Sequence, residues 1–165
     1  MEELEKLRKE IDQLDKMIAE LISKRQGLSN KILEAKGGEF TYDPVREMKV
    51  MEKIFSYDID SKLAERIWRQ IIAFNLSKQK KLKIGHLGDD KFSIAAYESY
   101  FGPYFENRDF KNVDKLMEGI NNKIIDALII EKSQLAFTKI NSKIKIVSEF
   151  PLKEYFYKKK YLILK

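Results

Sequence analysis

The chain has 165 residues, which is enough for one ordinary domain or two small ones. Hydrophobic residues make up 44% and charged residues 35%, a balance that excludes a disordered chain and favours a soluble, helix-rich protein. The sequence has no cysteine, which excludes disulfides and thiolate metal sites, and its net charge of +6 suits nucleic acid, a pocket for a small dianion or, most commonly, a lysine-rich solvated surface.

Residues 3–36 are predicted to form one long helix. Its apolar residues recur at spacings of three and four, as in a heptad seam, at Leu4, Leu7, Ile11, Leu14, Ile18, Leu21, Leu28, Ile32 and Ala35. The seam position between Leu21 and Leu28 is occupied by Arg25. A helix of about 34 residues is about 51 Å long, too long to bury its seam against two short helices. It therefore needs a partner, most simply a second copy of the chain.

Two shorter helices follow the Gly37-Gly38 pair, which is expected to end the long helix. The second helix is predicted over residues 44–57, with Pro44 in its first turn and Asp43 before it as the N-cap. The third is predicted over residues 62–81, after a turn and cap formed by Asp58, Asp60 and Ser61.

Strands and helices alternate in the remainder of the chain. Strands are predicted at 82–87, 105–110, 124–130, 144–150 and 160–164, and helices at 91–101 and 112–121. This alternation is typical of βαβ units and predicts a mostly parallel sheet. The expected organisation is an α domain over residues 1–81, followed by a small α/β domain over residues 82–165.

The first helix carries two cationic residues at informative positions. Arg25 interrupts its apolar seam, and Lys36 follows eleven residues later. This spacing displaces Lys36 by about 16 Å along the axis and rotates it by about 20°. Both side chains are able to lean toward each other over Ser29 and Ile32, and the gap between them suits a small ligand. Lys36 is equally suited to satisfy carbonyls of the last helical turn.

Polar residues also continue apolar faces in the two shorter helices. Asn75 and Gln79 extend the face of the third helix that begins at Trp68 and Ile72, and Glu47 shares a face of the second helix with apolar residues. Buried charges are costly unless they are paired or liganded. An internal ion pair between Arg25 and Glu47 is therefore the alternative to a ligand site.

Arg8 lies 17 residues before Arg25, about 25 Å away along the same helix. It is therefore too far away to serve the same pocket as Arg25 of its own chain. In an antiparallel dimer, Arg8 of one chain would reach the region of Arg25 and Lys36 in the other. The alternative is that Arg8 is an ordinary surface arginine.

Three segments, LEKLRKEIDQLDKMIAELISKRQGLSNKILEAK, YDPVREMKVMEKI and IWRQIIAFNLSKQ, resemble the all-helical, dimeric class of chorismate mutase. The resemblance covers about residues 4–80. The matching residues, in order and with the family's spacing, are Arg8, Arg25, Lys36, Asp43, Arg46, Glu47 and Gln79. One position departs from the pattern, because Asn75 stands where some members have serine, and adjusted contacts with a carboxylate are expected there.

The resemblance implies a three-helix domain in an intertwined homodimer that converts chorismate to prephenate by an intramolecular Claisen rearrangement. This reaction needs no nucleophile, metal or cofactor. The resemblance further implies that Arg8 of the partner subunit and Arg25 bind the two carboxylates of the substrate. Lys36 and Gln79 would hydrogen-bond the ether oxygen, Glu47 would accept from the ring hydroxyl, and Asp43 and Arg46 would help to order the site.

Residues 83–132 resemble the first lobe of prephenate dehydratase, through a strand, a glycine turn, a helix ending in Phe-Gly and a strand before Glu-Lys-Ser. The Thr-Arg-Asp string of that family is missing, and Phe137-Thr138-Lys139 is a poor substitute for it. We expect a degenerate dehydratase-like remnant without dehydratase activity. A bifunctional or regulatory remnant and a non-catalytic helical dimer are the alternatives.

The expected partners are chorismate and a second copy of the chain. No nucleic-acid partner is expected, because no aromatic-and-basic binding module is present. No membrane span is expected, because no apolar run approaches the roughly 20 residues that cross a bilayer. The charged start, MEELEKLRKE, has no apolar signal-peptide core, and together with the lack of cysteine it indicates a cytoplasmic protein.

Overall fold

The computed structural model describes residues 2–37, 42–136, 141–153 and 159–165. The chain divides into two compact units, Met1–Thr41 and Tyr42–Lys165. The first unit contains the long helix α1 (Glu2–Ala35), and the second contains every later helix and strand. The expected division into domains at residue 81 stays a prediction.

Helix α1 confirms the predicted long helix. Glutamates at positions 2, 3 and 5 place negative charge in its first turn, where the interaction with the helix dipole stabilises the helix. The chain leaves the helix through Gly37, whose φ of +72° favours glycine, whereas Gly38 lies outside the described residues. None of the residues from Glu2 to Ala35 is buried. The eight leucines and isoleucines of its seam are each 51–62% exposed, so the single chain leaves this apolar stripe uncovered.

Helices α2 (Pro44–Phe55) and α3 (Ser61–Gln79) confirm the two shorter helices. Each begins at an aspartate N-cap whose carboxylate accepts a backbone hydrogen bond, from Arg46 in α2 and from Leu63 in α3. Both helices end two residues before the predicted position. The chain is already extended at Lys80, where it leads into the first strand.

The described remainder of the second unit is a five-stranded sheet with three α-helices and a 3-10 turn at Gly102–Tyr104. The strands are β1 (Lys83–Leu87), β2 (Glu106–Phe110), β3 (Ala127–Glu131), β4 (Ile146–Phe150) and β5 (Tyr161–Leu164). The helices are α4 (Lys91–Phe101), α5 (Val113–Asn121) and the short α6 (Lys132–Leu135). The predicted strands and helices are confirmed, with shifts of up to three residues at their ends. No helix that the structure describes is long and apolar enough to span a membrane.

The sheet is mixed, whereas the sequence predicts a mostly parallel one. Its strand order is β2-β1-β3-β5-β4. β1 is parallel to β2 and β3, but β5 is antiparallel to both β3 and β4. A parallel pair needs a long crossover, usually a helix, and α4 and α5 supply such helices among the first three strands. The connection between the neighbouring strands β4 and β5 has only ten residues, which is enough for antiparallel pairing but short for a parallel crossover.

The inner strands β1, β3 and β5 are buried, whereas the edge strand β2 is largely exposed. Leu128 and Ile130 of β3 join an apolar cluster with α5, which includes Leu116, and α4 contacts β1 and β3. A Cβ at Gly85 of β1 would clash with the side chains of Leu116 and Ile125, so this glycine permits the close approach of strand and helix. This packing explains why β3 and β5 are nearly continuous apolar runs, whereas the residues of β2 remain largely exposed.

Helices α2 and α3 pack against the α/β part of the second unit. α3 contacts α4, and α2 contacts β4. Glu65 of α3 is fully buried, and its two carboxylate oxygens accept the backbone N–H groups of Leu152 and Lys153 at 2.7 and 2.9 Å. These charge-assisted hydrogen bonds tie α3 to the chain that follows β4.

We expect Glu65→Ala to lower the free energy of unfolding by about 3 kcal/mol, because two partly buried N–H groups lose their charged acceptor. Urea unfolding followed by circular dichroism measures this difference. The matched control is Glu149→Ala, since Glu149 is 38% exposed and bridges Lys132 at the surface. The control should lose no more than about 1 kcal/mol. Equal losses in the two variants would contradict a tethering role for Glu65.

Candidate active site

The first unit carries three of the candidate residues. Arg8 is exposed, and its Nη1 donates to Glu5 Oε1 at 2.7 Å. Arg25 is half-buried at its seam position. Lys36 directly follows the last residue of α1, and its side chain is exposed. Two of these three candidates, Arg8 and Lys36, thus have exposed side chains, and they lie near opposite ends of α1.

The start of α2 carries three further candidates. Asp43 is the N-cap, and its Oδ1 accepts the backbone N–H of Arg46 at 2.9 Å. The Arg46 side chain is exposed. Glu47 lies in the first turn of α2, where a negative charge is favoured by the helix dipole. The cap therefore orients the turn that presents both Arg46 and Glu47.

The end of α3 carries the two amide candidates. Asn75 is buried, and its Nδ2 has no hydrogen-bond partner among the described residues. Gln79 is the last residue of α3 and is half-buried. Four residues separate the two side chains, so both lie on one face of the helix, about 6 Å apart along its axis. A buried amide donor without a partner is costly and is suited to a ligand oxygen.

Glu47 pairs with Arg69 of α3, which the sequence analysis did not select. Arg69 Nη1 donates to Glu47 Oε2 at 3.2 Å, and the two side chains are only 2% and 13% exposed, respectively. Arg69 Nε and Nη2 have no hydrogen-bond partners in the part of the chain that the structure describes. The Glu47 carboxylate thus lies beside a buried guanidinium that belongs to the neighbouring helix α3.

Two tyrosines complete what we call the Glu47 cluster, which consists of Tyr42, Glu47, Arg69 and Tyr100. The guanidinium carbon of Arg69 lies 4.3 Å from the centroid of the Tyr100 ring, a cation–π distance. The hydroxyls of Tyr42 and Tyr100 are 3.0 Å apart and buried. The cluster therefore joins α2, α3 and α4.

Burial raises the pKa of the Glu47 carboxyl to about 7, although Arg69 and the Tyr100 hydroxyl act in the opposite direction. Burial also raises the pKa values of Tyr42 and Tyr100, so both hydroxyls stay protonated and able to donate near neutral pH. Glu47 thus changes its charge in the neutral range, where a carboxylate accepts a hydrogen bond more strongly than a carboxylic acid does.

Apolar periodicity does not indicate Arg69, because it predicts that the apolar residues of α3 form its buried face. The structure instead leaves Leu63 52% and Ile67 38% exposed and buries Glu65 and Arg69. The available signal was the i, i+4, i+8 series of Glu65, Arg69 and Ala73, which places two charges and a small residue on one stripe. That stripe faces polar partners, which apolar periodicity does not reveal.

The donors in and near these helices suit recognition of an anionic, hydroxylated molecule. Arginine forks match carboxylates, amides donate at any ordinary pH, and a carboxylate accepts from a hydroxyl. Among the described residues, no group of three or more His, Cys, Asp and Glu side chains is placed to hold a metal ion. The arginine, lysine and amide donors and the Glu47 carboxylate support binding, orientation and electrostatic stabilisation of such a molecule.

Glu47 should make the stability of the protein depend on pH. Its pKa is about 7 in the folded state, against 4.5 for the unperturbed group, so only the folded state holds the proton between these values. The free energy of unfolding contributed by Glu47 therefore falls as pH rises through this window. We expect the free energy of unfolding of the wild type, relative to that of Glu47→Gln, to fall by on the order of 3 kcal/mol from pH 4.5 to pH 7. Chemical unfolding at both pH values measures it, and a pH-independent difference would contradict the raised pKa.

Residues 7–80 match the family model for chorismate mutase type II. Curated relatives include bifunctional chorismate mutase/prephenate dehydratases from Aquifex aeolicus (34% identity over 62% of this chain and 31% of the relative), Stutzerimonas stutzeri (26%, over 72% and 36%) and Pseudomonas aeruginosa (31%, over 61% and 31%). The chain thus spans about a third of the length of these relatives. The matches exceed the range 7–80, so they extend into the α/β part. No solved structure matches the chain significantly.

Proposed function

We propose that this chain catalyses the rearrangement of chorismate to prephenate, a step of aromatic amino-acid biosynthesis, because residues 7–80 match the family model for chorismate mutase type II. The family match carries the proposal, since its range includes all eight candidate residues, from Arg8 to Gln79. The relatives support it, because each is named for a chorismate mutase activity.

The proposed reaction is pericyclic, so the protein holds one flexible dianion in a compact shape and stabilises the charge that develops as the ether bond breaks. Arg25 and Arg8 of the second copy bind the two carboxylates, with Asn75 as a further donor. The buried Nδ2 of Asn75, which has no hydrogen-bond partner within the described ranges, supports this role. Lys36 and Gln79 donate to the ether oxygen, whose negative charge grows in the transition state.

The residues at the start of α2 have the remaining proposed roles. Glu47, in its ionised form, accepts a hydrogen bond from the ring hydroxyl. Asp43 and Arg46 order the first turn of α2, in agreement with the hydrogen bond from the Arg46 backbone to the Asp43 carboxylate. A cytoplasmic location, which the cysteine-free sequence fits, is part of the same proposal.

The alternatives differ in what the purified protein does with two substrates. A non-catalytic helical dimer leaves the ultraviolet absorbance of chorismate unchanged. A bifunctional protein also forms phenylpyruvate from prephenate. We propose that the α/β part lacks this second activity, on the grounds of the missing Thr-Arg-Asp string; Phe137-Thr138-Lys139 lies outside the described residues.

We expect Lys36→Ala to lower kcat for chorismate by about 100- to 1,000-fold, because it removes a cationic donor that acts mainly in the transition state. The loss of chorismate absorbance measures the rate. Lys31→Ala is the matched control, since Lys31 is an exposed lysine of the last turns of α1 and lies outside the candidate set. Near-normal turnover by Lys36→Ala, with a folded protein, would remove Lys36 from the site.

We also propose that α1 pairs with α1 of a second copy to form a homodimer. The uncovered stripe of leucines and isoleucines on α1 supports this pairing, because a contiguous apolar surface of this length is unfavourable in water. Arg8, near one end of the helix, would then serve the site of the second copy.

We expect Leu14→Lys to weaken dimerisation roughly 100-fold, because it places a charge in the apolar contact. Light scattering gives the mass, and turnover should fall as the monomer forms. Gln13→Lys adds the same charge to the same turn but outside the heptad seam, so this control should stay dimeric. A monomeric wild type at micromolar concentration would refute the proposed dimer.

A further inference from the structure

The Glu47 cluster connects the proposed active site to the α/β part of the second unit. Tyr100 belongs to α4, which contacts β1 and β3 of the sheet. Its ring packs edge-on against Phe101 and against Phe150 of β4, with centroid distances of 4.7 and 5.5 Å. Its hydroxyl lies within hydrogen-bonding reach of Ser148 of β4 as well as of Tyr42. Tyr100 is therefore fixed from the side of the sheet.

Arg69 connects Tyr100 to Glu47, because its guanidinium lies over the Tyr100 ring and donates to the Glu47 carboxylate. Only its Nη1 donates to Glu47, whereas Nε and Nη2 have no hydrogen-bond partner among the described residues. Hydrogen bonds therefore do not determine the orientation of the guanidinium by themselves. The face of the Tyr100 ring, 4.3 Å from the guanidinium carbon, supplies the remaining contact.

We propose that Arg69 and Tyr100 are positioning residues, through which the α/β part holds the Glu47 carboxylate in place and keeps it ionised for the substrate hydroxyl. This inference rests on the proposed function. It assigns the α/β part a role in the mutase reaction that requires no dehydratase activity, because α4 completes the environment of a site residue that α2 carries.

The groups that face Glu47 define how the carboxylate responds to pH. Arg69 from α3 and the Tyr100 hydroxyl from α4 favour the ionised form, whereas Asp43, before α2, opposes it. Tyr42 is also close to the carboxylate and stays neutral in the neutral pH range. Since burial holds the pKa of Glu47 near 7, loss of either favourable neighbour moves ionisation to higher pH.

The decisive comparison is between Tyr100→Phe and Tyr97→Phe, measured as kcat/KM for chorismate against pH in the full-length protein. Both tyrosines are buried in α4, but the Tyr97 hydroxyl donates to the carbonyl of Phe105, away from Glu47. In the wild type, kcat/KM should rise with pH, with a midpoint near 7. Tyr100→Phe should move this midpoint upward by about half a unit to one unit, and Tyr97→Phe should leave it in place.

The shape of the pH profile separates positioning from general loss of structure. Below the midpoint, Tyr100→Phe should lower kcat/KM by about 3- to 10-fold, the factor that corresponds to the shift, and at high pH it should approach the wild-type value. A defect in folding or packing alone would lower kcat/KM by the same factor at every pH and would leave the midpoint unchanged.

A second pair of variants tests the cation itself. Arg69→Met should raise the midpoint by about one unit or more, and Arg69→Lys should restore part of this shift, because it returns the positive charge without the planar fork. Carbon NMR of the Glu47 carboxyl follows the same midpoint independently of turnover. Rescue by lysine in both measurements would support the inference.

Equal midpoints in Tyr100→Phe and Tyr97→Phe, with normal turnover by the wild type, would overturn the inference and leave the proposed function intact. A decrease in the kcat/KM of Arg69→Met by the same factor at every pH, without rescue by Arg69→Lys, would also overturn the inference. Absence of chorismate turnover in the wild type would instead overturn the proposed function, and the inference with it.

Discussion

Burial of the ion pair between Glu47 and Arg69 constrains how the second unit packs. Removing two charges from water costs several kcal/mol for each ion, and their attraction offsets this cost only when the surrounding groups satisfy them. The surroundings here are the Tyr100 ring beneath the guanidinium and a pair of buried tyrosine hydroxyls. These groups come from α4 and from the segment before α2, so the pair is surrounded where α2, α3 and α4 meet. The cluster is thus one of the contacts that join α2 and α3 to the compact unit that contains the sheet.

Helix α1 presents the opposite situation. It buries none of its residues from Glu2 to Ala35, and its apolar seam is exposed along the whole length of the helix. The second unit thus places charges where water is excluded, and the first places apolar side chains where water has access. Charged interiors favour a defined arrangement of their neighbours, whereas an exposed apolar seam favours association. The proposed dimer and the proposed role of the Glu47 cluster follow from these two departures from the usual distribution of residues.

The α/β part extends the match to the relatives beyond the helical region, yet the chain covers only about a third of their length. Its contribution to the proposed site does not depend on a second catalytic activity. Glu65 and Arg69, one turn apart on α3, contact the chain after β4 and α4, respectively. Both residues lie within the range of the mutase family match, so one face of α3 packs against the α/β part and carries the residue that we propose to position Glu47.

Local patterns in the sequence determined the long helices, the cap at Asp43, the turn and cap at residues 58–61, the strands and the family whose model residues 7–80 match. These features depend on neighbours within a few residues, so periodicity and capping chemistry suffice to predict them. Only the tertiary structure decided the antiparallel direction of β4 and β5 and the burial of Glu65 and Arg69. Glu65 meets its backbone donor 87 residues away, and Arg69 meets Glu47 across 22 residues. The free energy of burying a charge depends on such distant partners, which no local pattern of apolar residues specifies.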